Sequence, residues 1–199
     1  MILVVEDHKT LRLMIVKGLK KEGFEVVEAE NGKQALEIIE KMEPELIISD
    51  VRMPEMDGFE FISRLREKNR IIPFIFLTVL DDIDDYKKGY KLGADSYITK
   101  PFEMKELIEK IRMKLQKTRI IKEIIEGKRK EVKIEEISLA DLVEMVIEGE
   151  KNLIIETDEG KGEITIKNGE IKKAKFGSLE GEDAIAKLIL LKSGKITLV

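Results

Sequence analysis

The chain is predicted to fold as a doubly wound α/β domain with a five-stranded parallel sheet, followed by a second, smaller α+β domain. Three observations carry this. Short unbroken apolar runs alternate with segments of helical period over roughly the first 120 residues, which is how strands buried on both faces of a parallel sheet read. Each run ends abruptly in an acid, a hydroxyl or a lysine. Beyond about residue 136 the pattern changes to alternating strands joined by turn signals, the mark of an antiparallel sheet with one solvated face.

The first strand spans 2–6 and ends in Glu6-Asp7. Helix 9–22 follows, with Leu11, Met14, Ile15, Gly18 and Leu19 on one face and Gly23 where a C-cap falls. A short strand near 24–29 leads to the Asn31-Gly32 turn and helix 33–42. Pro44 precedes the central strand 45–49, which ends in Asp50. Helix 58–68, strand 73–77 ending in Thr78, helix 82–92, and strand 96–99 ending in Lys100-Pro101 complete five strand-helix alternations. Parallel strands joined through helices place their C-terminal ends on one edge, where open α/β sheets build sites. Three carboxylates there suit a hard divalent cation. A hydroxyl and an ammonium suit a doubly charged phosphoryl group.

A helix opened by Pro101 carries apolar positions Leu107, Ile108, Ile111, Leu115, Ile120, Ile121, Ile124 and Ile125 without a breaker before Gly127. It is either one helix of roughly 35 Å or a normal helix followed by a short one, since the stripe breaks at Thr118. Lys128-Arg129-Lys130 then reads as a solvated linker. Ser138 and Asp141 form a capping-box-like start for a helix carrying Leu139, Leu142, Val143, Val146 and Ile147. Strands are expected at 152–157, 162–167 and 170–176, with Asn168-Gly169 as a two-residue hairpin turn. Helix 182–192 and a last strand 196–199 finish the chain.

Composition narrows the function. Cys is absent, which excludes thiol chemistry and fits the cytoplasm. No run of eighteen apolar residues suggests a membrane span, and no secretion signal is expected. The net charge of −4 supplies no global basic field for nucleic acid. Within 128–199, 15 acids face 13 basic residues and no helix is basic, so specific DNA binding is not expected there. The alternation of Lys172, Lys173 and Lys175 reads as a solvated strand face. Charged residues make up 38% of the chain, dominated by Glu and Lys, a pattern associated with thermophilic proteins. The tail has no His and no nucleophile-base pair, so no enzyme is expected there. The lone His8 reads as a surface residue opening the first helix.

Residues 1 to about 120 resemble a response-regulator receiver domain, the CheY-like, flavodoxin-like phosphoacceptor of two-component signalling. The resemblance rests on Glu6-Asp7, Asp50, Met53-Pro54, Asp57-Gly58, Thr78, Gly93-Ala94-Asp95 and Lys100-Pro101 in order. It implies that Asp50 accepts phosphate and that Glu6, Asp7, Asp50 and the backbone carbonyl of Arg52 hold Mg²⁺. It also implies that Thr78 and Lys100 contact the phosphoryl group, and that Thr78 and Tyr97 form the switch. Arg52, Val79 and Leu80 occupy the positions that tune water access; Val79 is bulkier than usual in the family, and Leu80 cannot orient a water. A sensor histidine kinase is the implied phosphate donor and an unknown downstream protein the target, with no membrane or nucleic-acid partner. A phosphorylation-dependent homodimer is a further expectation. The receiver would assist its own phosphorylation and dephosphorylation without being an enzyme in the ordinary sense. Residues 121–135 are expected as helical extension and linker. Residues 136–199 are similar to the PATAN-type domain, which implies an interaction module. The alternative is a transcriptional regulator whose DNA-binding output is not recognisable.

Overall fold

The computed structural model describes residues 1–68, 72–79, 83–145 and 149–199. The chain divides into two compact units, Met1–Leu115 and Gln116–Val199.

The first unit is built on β1 (Ile2–Val5), β2 (Val26–Ala29), β3 (Leu46–Asp50), β4 (Phe74–Thr78) and β5 (Ser96–Thr99). They form a five-stranded sheet of order β2-β1-β3-β4-β5 with every ladder parallel. Strand side chains alternate between two cores, as the pleat demands. Leu3, Val5, Ile47, Phe74 and Phe76 join one core with residues of α2 (Gly32–Lys41) and α3 (Gly58–Glu67). Ile2, Val4, Ile48, Ile75 and Leu77 join the other with Ile15, Val16 and Leu19 of α1 (Lys9–Lys21) and with Leu107 and Ile111. Burial on both faces explains the unbroken apolar runs. Tyr86 of α4 (Ile83–Lys91) packs on the first of these cores.

The helix after the site, α5, runs Met104–Ile125 as one helix. It starts later than Pro101, and its N-terminal turn is closed by the Leu107 N–H donating to the Glu103 carbonyl at 3.2 Å. Leu107 and Ile111 belong to the first unit's core. Ile120 and Ile124 belong to the second's.

The second unit carries a six-stranded sheet of order β10-β9-β8-β7-β11-β6. The strands are β6 (Glu131–Lys133), β7 (Glu150–Thr157), β8 (Gly160–Lys167), β9 (Glu170–Phe176), β10 (Leu179–Glu180) and β11 (Lys195–Leu198), all paired antiparallel. Its helices are α6 (Leu139–Met145) and α7 (Gly181–Ile189). Asn168 and Gly169 both take positive φ, 52° and 75°, as a two-residue hairpin turn requires.

Three expectations change here. Within 121–135, α5 continues to Ile125 as a helical extension, while Glu131–Lys133, expected as linker, pairs with β11 as a sheet edge. The helix expected over 182–192 ends at Ile189, where the Leu190 N–H closes back on the Lys187 carbonyl at 3.2 Å. The sheet has six strands, not the four expected; the added β6 and β10 are three and two residues long and carry no readable period. Val146 and Ile147, expected in the helix after Ser138, lie outside the described residues.

Candidate functional site

Parallel pairing brings residues from four strand ends to one edge. Val5 is in register with Ser49, Asp50 with Leu77, and Thr78 with Thr99. Glu6, Asp50, Thr78 and Lys100 therefore converge although the sequence separates them widely. Lys100 Nζ lies 2.7 Å from Glu6 Oε2 and 2.7 Å from Asp50 Oδ2. Glu6 is 1% exposed, and its second oxygen accepts the His8 N–H at 3.2 Å. Asp50 Oδ1 accepts the Val51 N–H at 2.7 Å and the Arg52 N–H at 3.4 Å. These bonds fix the carboxylate plane of Asp50.

Carboxylate oxygens of Glu6, Asp7 and Asp50 lie within 4.8 Å of one another. An all-oxygen set of this kind fits a small hard cation such as Mg²⁺. The charge balance points the same way, since Lys100 pairs with Glu6 and Asp50 and its single charge offsets only one of the three acids. Burial raises the Glu6 carboxyl above its ordinary value, and the like charge of Asp50 adds to that, against the lowering pull of Lys100. Burial alone would lower the Lys100 ammonium. Its hydrogen bonds to Asp50 and Glu6 outweigh this and hold it charged.

Local sequence explains the tight loop after Asp50. The Gly58 N–H donates to the Val51 carbonyl at 2.8 Å. A Cβ on Gly58 would stand 2.3 Å from the Asp50 carbonyl oxygen, so only glycine allows this approach. Asp57 caps α3 by accepting the Glu60 N–H at 2.8 Å.

Thr78 is buried at the end of β4. Tyr97 is also buried, stacked at 5.3 Å on Phe76 and in contact with the rings of Tyr86 and Tyr90. Its hydroxyl donates to the Tyr86 carbonyl at 3.4 Å. Burial, with Tyr90, Asp85 and Tyr86 nearby, pushes its pKa up to about 12, so the ring is neutral under ordinary conditions. Arg52 is exposed and Val79 is 57% exposed. Leu80 lies outside the described residues. His8 is exposed, and its Nδ1 accepts the Leu11 N–H at 3.4 Å, capping α1.

Two residues beside the site went unremarked in the sequence. Arg12 is 5% exposed and donates to the Glu6 carbonyl at 2.7 Å. Its spacing to Ile15, Val16 and Leu19 (i+3, i+4, i+7) put it on the buried helix face, and a charge at such a position was the available signal. Gly89 lies under Tyr97, where a Cβ would stand 1.5 Å from the Tyr97 hydroxyl oxygen.

The response regulator receiver domain model matches residues 2–112. The chain belongs to the response regulator receiver family. Over 117 residues the receiver is 43% identical to a probable transcriptional regulator ycf27 of Cyanophora paradoxa, covering 59% of this chain and 48% of that protein. Over 118 residues it is 40% identical to the transcriptional regulatory protein PcoR of Escherichia coli, covering 59% and 52%. The chain thus spans about half the length of the curated relatives it matches. Among solved structures it is similar to the Francisella response regulator 1452 receiver domain, with a TM-score of 0.57 and 33% identity, over 59% of this chain and 97% of that one. All three matches cover a receiver-sized part of the chain. Among the described residues, no helix is long and apolar enough to cross a membrane.

Proposed function

We propose that the protein is a two-component response regulator in which Asp50 accepts a phosphoryl group from a phosphohistidine of a sensor histidine kinase. The observation that carries this is the Lys100 ammonium held 2.7 Å from both Glu6 and Asp50 within a segment matched to the receiver family. An oxygen of Asp50 attacks phosphorus, the P–N bond breaks, and its electron pair returns to the leaving imidazole. Glu6, Asp7, Asp50 and the Arg52 carbonyl would hold Mg²⁺, which supplies positive charge against the phosphoryl oxygens. Lys100 exchanges its pairing with Asp50 for the phosphoryl oxygens. Thr78 turns its hydroxyl toward them, and Tyr97 moves into the space vacated. Catalysis here is positioning and charge neutralisation.

Intact-mass spectrometry tests the reading. A small phosphodonor should add one phosphoryl group only with Mg²⁺ present, and Asp50→Asn should abolish the addition. Undiminished labelling of the Asn variant rejects Asp50 as acceptor. In the phosphorylated chain Arg52, Val79 and Leu80 govern water access to the acyl phosphate, and the bulk of Val79 should slow hydrolysis. Val79→Ala should shorten the acyl-phosphate lifetime, and an unchanged lifetime rejects that role.

The second unit is read as a PATAN-type interaction module whose binding to a downstream protein changes with phosphorylation. Acids outnumber basic residues over 128–199, 15 to 13. Two lysines of β9 are partnered, Lys172 with Glu170 and Lys175 with Glu180. A DNA-binding output is the second reading, favoured by relatives named as transcriptional regulators. A sequence-specific gel shift by the full chain, falling steeply with salt, would decide for it.

A further inference from the structure

We propose that Arg12 is a positioning residue for the acid pair. Its guanidinium fixes the backbone turn that presents Glu6 and Asp7, and so sets the affinity for the divalent cation. This rests on the reading of Glu6, Asp7 and Asp50 as the cation's ligands.

The Arg12 side chain is 6% exposed, and its guanidinium is met on every side. One terminal nitrogen donates to the Glu6 carbonyl at 2.7 Å and, at 3.3 Å, to the Asp7 carbonyl. The other donates to Glu30 at 2.6 Å, and Nε donates to Glu28 at 3.2 Å. The planar fork suits this division of labour, because its donors diverge at fixed angles. Glu28 lies in β2 and Glu30 just past its end. The Glu6 N–H donates to the Ala29 carbonyl at 3.1 Å. Both backbone polar groups of Glu6 are thus tied to the end of β2, the N–H directly and the carbonyl through Arg12.

Stability alone does not account for this arrangement. Glu28 and Glu30 are 46% and 65% exposed, and ion pairs to exposed carboxylates contribute little. Removing a guanidinium from water is costly. What the burial secures is the direction of two carbonyls at the residues that carry the ligands. Groups that orient ligands from behind typically control metal affinity by about 10- to 100-fold.

The sign of the effect separates positioning from charge. A buried cation acting only through space would repel a divalent ion, so its removal would tighten binding. A positioning residue acts the other way. Mg²⁺ titration by calorimetry on the full chain compares wild type, Arg12→Met, Arg12→Lys and Asp50→Asn, with thermal melts to confirm folding. Arg12→Met should bind Mg²⁺ roughly tenfold more weakly. Arg12→Lys keeps the charge but not the fork and should fall between Met and wild type. If folded Arg12→Met binds as tightly as wild type, or tighter, the inference is overturned. Should the Met variant not fold, an unchanged dissociation constant in Arg12→Lys overturns it equally. Asp50→Asn guards the underlying reading. If wild type does not bind Mg²⁺, or Asp50→Asn binds it as well as wild type, the ligand assignment fails and the inference with it.

Discussion

The two units handle charge in opposite ways. At the edge of the parallel sheet, Glu6, Asp50 and Lys100 are mostly withdrawn from water, and each is held by partners far away in sequence. In the antiparallel sheet the paired charges are exposed, some between close neighbours, as Lys172 and Glu170, and some across strands, as Lys195 and Glu131. Topology produces the difference. Parallel strands end together, so residues 50 and 94 apart in sequence meet at one edge. Antiparallel strands alternate direction, so each turn mainly brings its own flanks together. The first arrangement concentrates charge where water is scarce and electrostatic forces are strong. The second leaves charges in a medium that screens them.

Removing one lysine from each unit should expose that contrast most sharply. Lys100→Met leaves Glu6 and Asp50 without their shared cation and should destabilise the first unit by about 3–5 kcal/mol. Mg²⁺ should restore much of this, because it supplies charge to the same oxygens. Lys187→Met removes the partner of Glu159, both well exposed, and should cost less than about 1 kcal/mol with no response to Mg²⁺. Chemical denaturation with and without Mg²⁺ measures both. Equal losses, or no rescue of the Lys100 variant, would break the contrast.

Gly89→Ala sharpens it on the side of packing. Alanine in a helix is ordinarily more favourable than glycine by about 1 kcal/mol. Here its Cβ would meet the Tyr97 hydroxyl oxygen at 1.5 Å and Tyr97 Cζ at 2.7 Å, so the ring must leave its site. The variant should destabilise the first unit by roughly 1–3 kcal/mol and shift the Tyr97 ring resonances. In a Tyr97→Ala background the same substitution should become neutral or stabilising. If its effect is the same in both backgrounds, Tyr97 is not what the glycine accommodates.

Much of the first unit was legible because its strands are buried on both faces. An apolar run with a polar stop then marks both the strand and the edge where it ends, and the convergence of Glu6, Asp50 and Lys100 followed from that. The helix faces were less clear. Met14 shares the apolar stripe of α1 yet is 45% exposed, while Arg12, one turn before Ile15 and Val16, is buried although its charge points to the surface. The place of Gly89 could not be read, since it depends on where the Tyr97 ring points. In the second unit, alternation identifies strands but not their order. Nothing in the residues of β11 announces that it lies between β7 and β6. Among its described residues that unit shows no convergent edge to mark a site, so the proposal for it rests on a resemblance.

Asp141 gives the smallest of these effects and the finest test of the second unit. It accepts hydrogen bonds from the Ser138 hydroxyl at 2.6 Å and backbone N–H at 3.2 Å, with Lys117 Nζ at 2.5 Å. Burial alone would raise its carboxyl; the bonds from Lys117 and Ser138 outweigh this and hold it below the ordinary 3.8. A carboxylate with a lowered folded pKa adds stability that is present above the ordinary value and is lost as pH falls through the folded one. Asp141→Asn should therefore destabilise the second unit at neutral pH, by about 0.5–2 kcal/mol as for other lost caps. The gap from wild type should close as pH falls below 3.8. Melts of both proteins from pH 7 into this acid range, followed by second-unit resonances, measure it. A gap that persists in acid would assign the contribution of Asp141 to hydrogen bonds that a carboxamide does not reproduce, and not to its charge.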